Sequence, residues 1–119
     1  MPSRPEMIAA VLAFTLLGLA GRAEAASFDC GKAAAPDEIA ICGNTALSEL
    51  DTEMSALWFS YSRIPMLMGS SGARQDDAHA FLQQRTACGS DLACLTTLYR
   101  ARIATLKEQI TEALSHLSP

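Results

Sequence analysis

Residues 88–103, CGSDLACLTTLYRARI, are the stretch whose reading decides the fold. Cys88-Gly89 closes one helical pattern, and Ser90 or Asp91 can cap the next. From there Leu92, Leu95, Tyr99, Ile103, Leu106, Ile110, Leu114 and Leu117 recur at steps of three and four. That spacing lays one apolar stripe along a helix of 3.6 residues per turn. The cysteines at 88 and 94 can tie the end of one helix to the start of the next. The rest of the chain is expected to pack on the helix that begins here.

Working back toward the N-terminus, a third helix is predicted over residues 75–87, with Ala78, Phe81, Leu82 and Arg85 along one side. Residues 64–74, IPMLMGSSGAR, are the least regular segment and read as a flexible loop. Before it, Leu47, Leu50, Met54, Leu57, Trp58 and Tyr61 form another stripe, capped by Asn44 or Thr45. This helix should stop near Arg63, because the residue before a proline avoids the α region and Pro65 follows. A short helix opens at Pro36-Asp37-Glu38 and ends at Cys42-Gly43. Proline suits the first helical position, and acids in the first turn complement the positive end of the helix dipole. Residues 26–35 read as an extended lead-in. No strand alternation or internal repeat occurs. The expected fold is all-α, a small antiparallel bundle of about four helices.

The start of the chain reads differently. Arg4 precedes an uncharged apolar run at residues 7–21, and Ala23-Glu24-Ala25 follows. A basic start, a short apolar run and an A-x-A site mark a secretory signal peptide, expected at residues 1–25. The run is about 15 residues, short of the roughly 20 that span a bilayer, which disfavours an uncleaved anchor. The first cysteine, Cys30, follows Ala-Ser-Phe-Asp, the wrong context for lipidation. Residues 26–119 then make one exported domain with no membrane span, periplasmic or secreted. The net charge of −4 argues against nucleic-acid binding and suits a cationic partner.

Four cysteines behind an export signal read as two disulfides. Zinc sites pair ligands at closer C-x2-4-C spacing, and His79 and His116 are isolated, so no metal site is expected. Four cysteines allow three pairings. The local one, Cys30–Cys42 with Cys88–Cys94, is preferred; each bridge closes a small loop worth roughly 2–3 kcal/mol. In a domain whose core alone supplies about 3–5 kcal/mol, that contribution matters.

Taken in order, Phe28-Asp29-Cys30, Glu38-x-x-Ile41-Cys42, Leu47-x-x-Leu50-Asp51-x-x-Met54, Arg85-x-x-Cys88 and Cys94-Leu95-x-x-x-Tyr99-x-x-Arg102 form a recognisable series. It resembles the family of small secreted proteins named for the lysozyme inhibitor LprI, over residues 28–106. The family often has tyrosine in place of Trp58 and tryptophan in place of Phe81; both differences keep a large aromatic. The resemblance implies a secreted or periplasmic helical domain with disulfides, and it points to lysozyme as a partner.

Four charged residues of the series, Glu38, Asp51, Arg85 and Arg102, are expected to form structural ion pairs across helices, Asp51 and Arg102 lying next to apolar stripes. His79 lies near Asp76, Asp77, Ser70 and Ser71, but the serines have no nucleophile-elbow context. The adjacent acids Asp37-Glu38 and Asp76-Asp77 read as dipole complements at helix starts and not as a glycosidase pair. No catalytic constellation and no cofactor site is read. Met66, Leu67 and Met68 are the partner-binding residues expected, because methionines adapt to irregular surfaces and loops carry function. The sequence thus points to a secreted or periplasmic binding protein that inhibits lysozyme by occlusion. The alternative is a structural or interaction module of the cell envelope with no effect on lysozyme.

Overall fold

The computed structural model describes residues 26–118. The expected signal peptide, residues 1–25, lies outside the described residues. A 3-10 turn, Cys30–Lys32, leads into helices α1 (Pro36–Cys42), α2 (Thr45–Ser62), α3 (Met68–Cys88) and α4 (Leu92–Ser115). No strand occurs among the described residues. The described residues form an all-helical fold, as their periodicity predicts.

Local chemistry sets most helix ends. Pro36 stands at the first position of α1, and Glu38 Oε1 accepts the Ala35 N–H at 3.1 Å. Asn44 Oδ1 accepts the Leu47 N–H at 3.0 Å, and Asp91 Oδ1 accepts the Cys94 N–H at 3.1 Å. Each cap supplies an acceptor to an amide that the helix itself leaves unpaired. Gly89, at φ +56°, ends α3 in a conformation that costs a residue with a Cβ more than it costs glycine.

One boundary departs from expectation. Helix α3 begins at Met68, seven residues before Gln75, and runs through Gly69-Ser70-Ser71-Gly72. Glycine and serine are poor helix formers, so local propensity argues for a loop. Arg74 explains the difference. It is only 7 % exposed, and its Nη1 donates to Tyr61 O at 2.7 Å and Ile64 O at 3.0 Å. Its guanidinium also lies over the Tyr61 ring. Arg74 therefore closes the carbonyl end of α2 from a position on α3, and tertiary contact overrides propensity.

Helices α3 and α4 run antiparallel, with Phe81 edge-on to Tyr99 at 5.3 Å and Cys88 bonded to Cys94. Helix α2 lies parallel to α4: Asp51 meets Tyr99 near their starts, and Tyr61 shares a groove with Gln109 and His116 near their ends. The α2–α4 interface is the most extensive among the described helices. Ile41, Leu47, Phe81, Leu95 and Tyr99 form the core cluster, with Ala26 against it. Ile103 and Leu106 continue the buried stripe of α4. Each fully buried aliphatic side chain here is worth about 1.5–3 kcal/mol.

The cysteines pair as Cys30–Cys42 and Cys88–Cys94. The first ties the 3-10 turn to the end of α1, and the second joins α3 to the first turn of α4. Ser48 Oγ donates to Ile41 O at 2.7 Å and fixes α2 against the end of α1. No helix among the described residues is long and apolar enough to cross a membrane.

Candidate functional site

The connection between α2 and α3 carries the expected partner-binding residues. Pro65 cannot continue α2, so the chain leaves the bundle and re-enters it at Met68. Met66 is half-buried, whereas Leu67 is 83 % exposed and Met68 is 91 % exposed. Leu67 is the N-cap of α3 and makes no side-chain cap. Met66 and Leu67 form one wall of a groove of about 440 Å³; Tyr61, Gln109, Glu112 and His116 are among the residues of the other walls. Gln109 Oε1 is buried there and has no hydrogen-bond partner among the described residues. Leu117, also lining the groove, is 54 % exposed. The end of the bundle thus presents apolar surface around an acid and an unpaired amide oxygen. The contribution of α4 was hidden in the sequence, because its last turns read simply as the tail of an amphipathic stripe.

The charged residues of the motif series take four different roles. Glu38 caps α1 and stays local. Arg85 forms the cross-helix pair, and its partner is Asp37, at 2.7 Å from Nε to Oδ2. Asp37, read from sequence as a dipole complement, is in fact only 2 % exposed. Burial works against the Arg85 charge, but the neighbouring Tyr99 and Asp37 outweigh it and raise its pKa. Asp51 is fully buried and pairs with no arginine: its Oδ1 accepts Tyr99 OH at 2.6 Å and its Oδ2 accepts Ser27 N–H at 2.7 Å. Burial, reinforced by Asp51, holds the Tyr99 phenol well above its ordinary range. These contacts anchor the lead-in segment to α2 and α4.

Arg102 stands apart. Its guanidinium lies 5.9 Å from the ring centroids of both Trp58 and Phe81. It forms no ion pair among the described residues, and its Nε is buried without a partner. Burial lowers its pKa, only partly offset by the neighbouring Asp77 and Tyr61. The ion pair expected from sequence is therefore not made by this residue.

His79, Asp76 and Asp77 are exposed, and none hydrogen-bonds to another or to Ser70 or Ser71. Among the described residues no group of three or more His, Cys, Asp or Glu side chains could hold a metal. Comparison of the chain with protein-family models, curated proteins and solved structures returns no match. The resemblance to the LprI-type family rests on the residue series alone.

Proposed function

We propose that this chain is an exported helical binding protein that occludes a cationic partner protein, with lysozyme the first partner to test. The observation that carries the reading is the 83 % exposure of Leu67, which lines the 440 Å³ groove, with the next residue in the chain, Met68, 91 % exposed. Water-exposed large apolar side chains grouped beside a concavity favour a protein contact. Methionine suits such a contact because its flexible thioether adapts to the opposing shape. The net charge of −4 speeds encounter with a basic protein, and Glu112 gives the groove an acid for it. Rigid helices and two disulfides would present this end without a large ordering cost. Occlusion needs no nucleophile, metal or cofactor: the bundle end covers the partner's cleft and excludes substrate.

The test is a titration of oxidised protein into lysozyme acting on cell-wall substrate. Inhibition that weakens with added salt, and that Leu67→Asp or Met68→Asp abolishes, supports the reading. Unchanged turnover at high micromolar excess removes lysozyme and favours the alternative, an interaction module of the cell envelope.

A further inference from the structure

We propose that the cleft between α3 and α4 at Arg102 binds a small α-amino acid with an apolar side chain, its carboxylate on the Arg102 guanidinium and its ammonium on Asp77. The cleft is an open depression of about 270 Å³, separate from the groove at the bundle end, and Asp77, Phe81, Gln84, Leu98, Arg102 and Thr105 line it. A guanidinium has five donors and no acceptor, so it calls for oxygen partners. Arg102 has none from the protein: neither ion pair of the described residues involves it, and Nε is buried and unbonded. Trp58 on one helix and Phe81 on another hold the group from their rings, each at 5.9 Å. Rings attract the cation and fix its place, but they leave its hydrogen-bonding capacity unused. A carboxylate fills that need with two parallel bonds, the strongest arrangement arginine makes.

Asp77 decides the ligand class. It lines the same cleft, and its charge acts on Arg102, yet the two do not close into a salt bridge. A ligand carrying negative charge alone would meet repulsion from Asp77. A zwitterion satisfies both groups, because its carboxylate and ammonium lie side by side on one carbon. Phe81 and Leu98 offer apolar surface for the side chain. Burial depresses the Arg102 pKa, a strain that a bound carboxylate relieves.

Trp58 is the chain's single tryptophan, so its emission reports on the guanidinium beside it. L-leucine, leucinamide and 4-methylpentanoate are titrated into the oxidised protein, followed by tryptophan fluorescence and amide chemical shifts. Leucine should give a saturable response centred on residues of α3 and α4. Leucinamide, without the carboxylate, and 4-methylpentanoate, without the ammonium, should each bind at least about tenfold more weakly. Arg102→Gln should remove the response, with circular dichroism checking its fold. Asp77→Asn, an exposed substitution, should erase the preference for leucine over 4-methylpentanoate. The proposal is overturned if leucine gives no saturable change up to about 20 mM, beyond the weak affinity expected of so small a ligand. Equal binding of leucine and leucinamide, or a preference that survives Asp77→Asn, also overturns it.

Discussion

Tyr99→Phe removes one hydroxyl from the centre of the molecule and little else. The Tyr99 ring is fully buried, and phenylalanine preserves its edge-on contact with Phe81 at 5.3 Å. What disappears is the donor to Asp51 Oδ1 at 2.6 Å. Asp51 has no exposure to water, so its remaining protein donor is the Ser27 amide at 2.7 Å. A hydrogen bond to a charged acceptor contributes about 1.5–3 kcal/mol, and a buried acceptor left short of donors puts the cost toward the upper half of that range. For a domain of this size each kcal/mol moves the thermal midpoint by about 4–8 °C, so a loss of roughly 9–24 °C is expected. Urea unfolding of the oxidised protein should show a lower midpoint with an unchanged slope, because the surface exposed on unfolding is the same. If Tyr99→Phe stays within about 0.5 kcal/mol of the parent, the Asp51–Tyr99 bond does not hold the core as argued.

The same bond sets an alkaline limit. Burial first, then the Asp51 bond and charge, raise the Tyr99 pKa in the folded state, with Arg85 opposing. A raised phenol pKa means the folded state holds its proton more tightly than the unfolded state, whose ordinary value is about 10. The stabilisation is therefore complete below about pH 10 and is lost as pH rises from there toward the folded pKa. Tyr99→Phe should remove this component of the alkaline slope and leave the slope below about pH 9 unaltered.

Three further outcomes are expected. Arg85→Met leaves the Asp37 carboxylate, 2 % exposed, without its cation and should cost about 3–5 kcal/mol in urea unfolding, whereas Arg85→Met with Asp37→Leu should recover much of the loss. Replacing both Cys88 and Cys94 by alanine opens a loop with a sequence separation of 6 and should cost about 2 kcal/mol by the chain-entropy estimate; an unaltered midpoint in the same assay would contradict this. Lys107→Ala breaks an exposed pair with Glu53 and should shift stability by less than about 0.5 kcal/mol, a control for the buried pairs.

The helices were legible because their signals are local. The α4 stripe of Leu95, Tyr99, Ile103 and Leu106 is the buried face of the structure, and Asn44, Asp91 and Gly89 end helices by chemistry each residue carries with it. The start of α3 was not legible, since its cause, Arg74 on the α2 carbonyls, joins residues 10 and 13 positions apart in sequence. The polar core escaped for the same reason. Asp37 beside Glu38 looks like a pair of equivalent acids, yet the helix turns one into the core against Arg85 and leaves the other to cap its own start. Adjacent residues on a helix point about 100° apart, so the pair was bound to split, but which acid turned inward depended on where α3 lay. The groove is a similar case: Met66 and Leu67 were visible as an apolar loop, while Gln109 and His116 join them only through the parallel course of α2 and α4.

The arginines show how scaffold separates from site. Four of them lie against aromatic rings: Arg63 over Phe59, Arg74 over Tyr61, Arg85 over Phe28 and Arg102 between Trp58 and Phe81. Stacking therefore does not distinguish them. Acceptors do. Arg63 donates to Phe59 O, Arg74 to Tyr61 O and Ile64 O, and Arg85 to Asp37, so each guanidinium is engaged by the protein. Each of these three joins parts of the fold or closes a helix end, which accounts for its presence. Arg102 has the same aromatic support and half-buried position but no acceptor among the described residues. Its Nε is buried without a partner, an unsatisfied donor is costly, and a scaffold could use a neutral side chain between the same two rings at less cost. Its retention of full donor capacity beside a cleft is what a binding role requires.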